Sequence, residues 1–431
     1  MLLSIFLVSF LAFANAGWLD GVLDLIPKLK PAEKIPEMLN LLTNTSEDAL
    51  LTTMELIKKY GYNGELHKVT TSDGYILELH RITGRSNSTD SNAQKPIAFV
   101  MHGLLCDSSV WVLSGPERSL AFILADAGYD VWLGNARGNR YAHTHANRKI
   151  KDNDYWNFSW HEIGTLDLPA MIDHIVKTTG RKKMFYLGHS QGTTTFFVMA
   201  SERPEYQEYI EEMYAMAPIA YCGRMKSPLL QILAQFTISV DRFWDKVGYH
   251  EFNPDNVLTN AVQQLMCAEK AVTQPICSNL MFLVTGFNVK QFDPALLPVI
   301  LGHVPASAAT KQLLHYAQLI KSANLSTGTV LLPGKFKQYD HGLIQNKKIY
   351  GSSTPPIYDV SKIKAPVHLY YSKNDWLANV KDVEKLHSQL GNPSGKTLIA
   401  DKKFNHVDYM WAIDVKKFVY DLILAEMKKK L

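Results

Sequence analysis

Most of what would mark a scaffold or a nucleic-acid-binding protein is missing from this chain. Four cysteines in 431 residues cannot build a disulfide framework, so the fold must rest on a hydrophobic core. The formal net charge is +4, with no long basic block, which speaks against nucleic acid as the main partner. There are no internal repeats, no low-complexity tracts and no phosphate-cradling P-loop. No apolar run reaches the roughly 20 residues of a membrane-spanning helix. His143-Thr144-His145 has no third ligand at useful spacing, so no metal is expected, and nothing calls for an organic cofactor.

What is present suits one large domain with an insertion, or two domains. Apolar residues make up 46% and charged residues 20%, ordinary for a folded protein. The opening MLLSIFLVSFLAFANA is a short apolar run closing on Ala14-Asn15-Ala16, the pattern of a signal peptide over residues 1–16. It predicts a secreted protein or one of the endomembrane lumen, the lysosome included. Asn-x-Ser/Thr sequons at Asn44, Asn87, Asn157 and Asn324 fit that compartment. Cys267 and Cys277 are close enough in sequence to bridge a local loop. Cys106 and Cys222 are either free buried thiols or a long-range pair.

Residues 17–46 form a Pro-broken, partly amphipathic stretch, for which a propeptide, a surface-binding helix and a packed extension all fit. From Glu47 the texture becomes that of a compact domain, with a helix predicted over Leu51 to Tyr60. Leu66–Thr71 and Tyr75–Ile82 flank Ser72-Asp73-Gly74 and predict an antiparallel hairpin. Buried-strand runs follow at Pro96–Met101, Tyr129–Leu133, Met184–Leu187, Met213–Ala217, Val367–Tyr371 and Thr397–Ala400. Helical stretches at Ser119–Ala127, Leu168–Thr178 and Thr193–Ser201 separate several of them. A hairpin followed by alternating strands and helices predicts an α/β fold, a mostly parallel sheet covered on both faces. The alternation breaks between about Tyr221 and Tyr350, where a long, apolar, helix-periodic region separates two core strands. Its position after a strand's C-terminal end makes it a cap over the ligand-binding end of the sheet.

The chemistry centres on Gly188-His189-Ser190-Gln191-Gly192, between a strand-like and a helix-like run. That is the setting of a nucleophile elbow. A serine needs a base, and the base an orienting carboxylate. His189 is adjacent in sequence, but neighbouring side chains diverge in such a turn, so it is read as structural. His406, in a loop past the last predicted strand, is the expected base. Asp375, just past the strand before it, is the expected acid. Asp382 and Asp408 are rival carboxylates, the first expected on the following helix and the second too near His406 to reach its far nitrogen. Oxyanion donors are expected at the backbone N–H groups of Gln191 and of Leu104 in the His102-Gly103-Leu104 turn, with His102 bracing that turn. Asp130 and Asp167 are read as structural carboxylates.

Several stretches together resemble the animal acid lipases, the gastric and lysosomal enzymes and their insect relatives: "HGLLCDSSVWV", "LADAGYDVWLGNARGN", "LGHSQGTTT", "KNDWLANVKDV" and "FNHVDYMWAIDVKKFVYD". The resemblance runs from about Glu47 to Leu424. It implies an α/β-hydrolase fold whose core is residues 47–220 and 351–431. It also implies a cap over residues 221–350 with a lid near residues 245–279, and action on triacylglycerols or steryl esters. By motif the nucleophile is Ser190, the acid Asp375, the base His406 and the oxyanion donors Leu104 and Gln191. The family's lid cysteine pair corresponds to Cys267 and Cys277. Residues 324–334 form an extra loop relative to the family pattern.

The expected function is therefore hydrolysis of neutral lipid esters at a lipid–water interface through an acyl-enzyme. Two alternatives stand beside it: an esterase for small soluble esters, and a non-catalytic lipid-binding relative.

Overall fold

The computed structural model describes residues 46–87, 95–235, 250–252, 281–282, 284–322 and 334–431. The signal-peptide and extension readings, the sequons at Asn44 and Asn324, the Cys267–Cys277 pair and nearly all of the expected lid lie outside them.

The main sheet is built from β1 (Tyr62–Thr70), β2 (Tyr75–Arg85), β3 (Ile97–Met101), β4 (Asp130–Gly134), β5 (Thr144–His145), β6 (Met184–His189), β7 (Ile210–Met216), β10 (Val367–Tyr371) and β11 (Pro393–Leu398). Its order is β1-β2-β4-β3-β6-β7-β10-β11, with β5 paired to β2. β1 and β2 form the antiparallel hairpin, and β2 meets β4 antiparallel. From β4 to β11 every neighbouring pair is parallel. Every residue of β3, β4 and β6 is buried, as required of strands covered on both faces, and their continuous apolar runs reflect that.

Helices α1 (Thr53–Lys59), α2 (Leu120–Asp126), α3 (Leu168–Thr179), α4 (Gln191–Glu202) and α9 (Val380–Gln389) connect or cover these strands. Between β7 and β10 lie α5 (Pro228–Gln235), α6 (Leu297–His303), α7 (Thr310–Lys321) and α8 (Leu343–Tyr350). A separate two-stranded ladder of β8 (Glu251–Phe252) and β9 (Ala308–Ala309) lies in the same region. No described residue of this region joins the main sheet. The chain closes with α10 (Asp408–Trp411) and α11 (Asp421–Lys428).

The topology fixes where chemistry can occur. After β3 the chain crosses to β4 on one side, whereas after β6 it passes to β7 on the other. At such a reversal the loops leaving two adjacent strands part and open a crevice at their carboxyl ends. The turn after β3 begins at His102 and the turn after β6 holds Ser190.

Several boundaries differ from the sequence reading: β1 starts at Tyr62 rather than Leu66, and β2 runs to Arg85 rather than Ile82. β7 starts three residues before the expected Met213, and β11 spans Pro393–Leu398 rather than Thr397–Ala400. β11 is an edge strand with mostly exposed side chains, so its Pro-Ser-Gly-Lys start carries no apolar signal.

Candidate active site

Ser190 sits between the end of β6 and the start of α4 with φ 52° and ψ −117°. This conformation is sparsely populated for a residue with a Cβ and costs on the order of 1–3 kcal/mol. The surroundings impose it. The Ser190 N–H donates to the Met216 carbonyl of β7 at 3.0 Å, and its own carbonyl accepts from Thr193 N–H at 2.9 Å. The flanking glycine is obligatory for space: a Cβ on Gly192 would lie 2.5 Å from the Met101 carbonyl oxygen. Across the crevice, a Cβ on Gly103 would stand 3.2 Å from the Ser190 Cβ. The two loops are therefore in near contact.

The predicted nucleophile, base and acid meet here. His406 Nε2 is 2.7 Å from Ser190 Oγ, and His406 Nδ1 is 2.8 Å from Asp375 Oδ2. With Nδ1–H donating to the carboxylate, Nε2 carries the lone pair and faces the hydroxyl. The other oxygen of Asp375 accepts from the N–H groups of Leu377 and Ala378, each at 2.8 Å. Ser190, His406 and Asp375 are 8%, 4% and 1% exposed, so the hydrogen-bonded line runs from a slightly open end into the interior.

The expected oxyanion donors flank the serine. The Leu104 and Gln191 amides donate to no partner among the described residues; Gln191 is the first residue of α4, where helical geometry leaves N–H groups free. His102 holds the opposite loop. Its Nε2 accepts from Ala136 N–H and meets the Asn139 carboxamide nitrogen, both at 3.1 Å, so Nδ1 carries the proton and donates to the Gly103 carbonyl at 2.8 Å.

His189 lies beneath the elbow, as the divergence argument requires. Burial, with His406 beside it, holds its imidazole well below the usual range. The neutral ring donates from Nε2 to the backbone carbonyl of His406 at 2.8 Å, while Nδ1 is buried without a partner. It therefore meets only half its hydrogen-bonding capacity.

The remaining candidates fall outside the chemistry. Asp382 lies on α9 and binds the Arg224 backbone and guanidinium. Asp130 is held by Arg81 and Asp167 by Arg137. His145 spends its ring on Asp73, Asn147 and Arg148 backbone groups, and His143 on the Gly138 carbonyl. Cys106 and Cys222 are buried and unbridged. Asn87 and Asn157 are both exposed.

Similarity to known proteins agrees with this geometry. The model of a partial α/β-hydrolase lipase region matches residues 53–115, and that of the α/β hydrolase fold matches residues 99–255. Lipase 1 of Drosophila melanogaster is 41% identical over 387 residues, covering 90% of this chain and 82% of that protein. The chain belongs to the α/β-hydrolase lipases. A gastric triacylglycerol lipase of Bos taurus is 37% identical over 386 residues, covering 88% and 92% of the two chains. A solved soluble variant of monoglyceride lipase from Saccharomyces cerevisiae, 13% identical with a TM-score of 0.51, covers 85% of this chain and 95% of its own; at that identity it speaks for the fold alone. As a member of this family the protein is a carboxylic ester hydrolase.

Two groups of side chains around the site escaped sequence reasoning. The first ties the region between β7 and β10 to the elbow. Gln191 Nε2 donates to Gln312 Oε1 at 2.6 Å, and Tyr316 Oη donates to Thr194 Oγ1 at 2.8 Å. Gln312 and Tyr316 lie one turn apart on α7, and Gln191 and Thr194 one turn apart on α4. Between them His315 stacks on Trp160, centroids 3.6 Å apart and planes 11° from parallel.

The second group holds the base. Asn405 Oδ1 accepts from Val407 N–H and Asp408 N–H, both at 3.0 Å, and Asp408 Oδ2 accepts from Asn405 N–H at 2.7 Å. These reciprocal side-chain-to-backbone bonds close a turn around His406 just ahead of α10. Asn288 Nδ2 adds a second donor to Asp408 Oδ2 at 2.7 Å, and Asn405 Nδ2 donates to the Gly286 carbonyl at 2.9 Å.

Proposed function

We propose that the protein hydrolyses neutral lipid esters, triacylglycerols and steryl esters, with Ser190 as nucleophile, His406 as general base and acid, and Asp375 as the carboxylate that orients it. The observation that carries this reading is the continuous Ser190–His406–Asp375 hydrogen-bonded line at the reversal point of the sheet.

His406 Nε2 takes the hydroxyl proton as Oγ attacks the ester carbonyl. The imidazolium so formed is balanced by Asp375, whose charge is anchored by two backbone N–H groups. The Leu104 and Gln191 amides receive the oxyanion, in a site where burial makes each donor worth more than in water. His406 returns the proton to the leaving alcohol, and water clears the acyl group with His406 again as base.

The core is residues 47–220 and 351–431, and residues 221–350 form the cap. A fatty acyl chain needs a long dry groove, which an apolar cap supplies. The protein acts outside the cytosol, glycosylated at Asn44, Asn87, Asn157 and Asn324. Exposure of Asn87 and Asn157 supports two of those sites, and no described helix is long and apolar enough to cross a membrane.

Labelling by a fluorophosphonate that disappears in Ser190→Ala tests the nucleophile; native protein that stays unlabelled would overturn the assignment. Turnover of emulsified long-chain glycerides against a short soluble ester tests the substrate class. Equal or faster turnover of the soluble ester, with no rise at the interface, would sink the lipid reading.

A further inference from the structure

Asp408 is a buried carboxylate two residues from the base that never touches the imidazole. It is 5% exposed, and its Oδ2 gathers the Asn405 backbone N–H and the Asn288 carboxamide. Those contacts join three pieces of the molecule. Asn405 opens the turn that carries His406. Asn288 belongs to the segment of residues 284–291, whose Thr285 carbonyl also accepts from His406 N–H at 3.3 Å. Asn374, next to Asp375, donates to the Phe287 and Lys403 carbonyls at 2.9 and 2.7 Å. The backbone of the base is thus clamped from one side by a network centred on Asp408 and from the other by His189.

The charges around this carboxyl oppose its ionisation. Asp375 faces it from the acid loop and Asp401 from the strand-end turn before the base. Asp293 lies across a small cavity shared with Gln291 and Trp411, neutralised by Arg118 at 2.8 Å. The buried Tyr409, whose phenol burial and then Asp375 and this carboxyl hold well above the usual range, and the His406 imidazole are the other titratable groups beside it. Burial first, and then these two carboxylates, push Asp408 up to about 7, against the pull of Asn405 and Asn288.

We propose that Asp408 is a positioning residue for His406, and that its neutral form holds the base in register while its ionisation loosens the clamp and produces the alkaline fall of activity. The inference rests on the assignment of His406 as base. In the neutral carboxyl, Oδ2 still accepts both N–H groups while the proton resides on the other oxygen. When that proton leaves, a second buried anion stands beside Asp375 without a cation. The cheapest relief is to open the 405–408 turn to water, which moves Nε2 away from Ser190 Oγ.

The test is the pH profile of kcat/KM on 4-nitrophenyl butyrate, a soluble ester that avoids any interfacial step, in the full-length protein. Asp408→Asn keeps an acceptor oxygen and cannot ionise, so its alkaline fall moves upward by one pH unit or more. Asn288→Ala removes one donor that favours the anion and also moves the fall upward, though less. Asp408→Ala removes the acceptor altogether and lowers kcat about 10-fold across the range, with KM changed less than kcat. Alkaline limbs of Asp408→Asn and Asn288→Ala that superimpose on the native limb would overturn the proposal, as would native kcat in Asp408→Ala. An active enzyme whose activity survives His406→Ala would instead overturn the assignment of the base, a separate result.

Discussion

The carboxamides of Gln191 and Gln312 face each other across 2.6 Å, linking the residue after the strained serine to helix α7. The contact is buried at both ends, and the Gln191 Oε1 has no partner of its own. The orientation of an amide proposed as an oxyanion donor is therefore fixed partly by a helix outside the main sheet.

Gln312→Ala leaves the buried Gln191 Nε2–H without an acceptor. An orphaned buried donor costs about 1–3 kcal/mol, read as a lower urea midpoint. Because the displaced group belongs to the elbow, kcat on a soluble ester should fall several-fold while KM changes little. A stability loss with native kcat would mean that α7 serves packing alone.

Ser190→Gly separates strain from chemistry. The φ of 52° is accessible to glycine without penalty, so the variant should unfold at a higher temperature than Ser190→Ala. The expected gain is about 1 kcal/mol after the extra chain entropy glycine loses on folding. Both variants should be inactive. Equal melting temperatures would show that the elbow is not strained.

Asp375→Asn keeps the shape and reverses a hydrogen bond. An asparagine amide offered to Nδ1 favours the imidazole tautomer with its proton on Nε2, which can no longer accept from Ser190. A loss of kcat by roughly 10⁴-fold is expected, with the melting curve little changed. Activity within 10-fold of native would remove Asp375 from the mechanism.

Asp408 also makes a stability prediction. Its pKa in the folded protein, about 7, lies above the unfolded value near 3.8. Between about pH 4 and 7 the native state therefore binds the proton that the unfolded chain releases, and stability from this group falls as pH rises. Above pH 7 the whole contribution is lost. Asp408→Asn lacks this term, so its stability relative to native protein should increase from about pH 4 to pH 7 and then level off in urea titrations. A constant difference would refute the shift.

The sheet and the Ser190, Asp375 and His406 line were legible because each depends on short-range pattern. Buried parallel strands such as β3 and β6 appear as continuous apolar runs, and the elbow needs glycines at fixed offsets. β11 was misjudged by four residues at its start because an exposed edge strand has no apolar requirement. Gln312, Tyr316 and Asn288 were invisible for a different reason. Each is a polar residue whose partner lies more than a hundred positions away, and nothing local distinguishes it from a surface residue. The unpartnered Nδ1 of His189 is likewise a property of its packing, which neighbouring residues in the chain do not determine.

The parallel sheet ends in β10 and β11, and the acid and base follow them at Asp375 and His406. A ribosome has therefore made the serine, both flanking glycines and the whole long insertion well before either partner exists. On the proposed triad, chains cut short before Asp375 or His406 carry a serine with nothing to activate it. On the proposed mechanism, hydrolytic competence waits for β11 to dock on the sheet and bring the turn that follows it to Ser190.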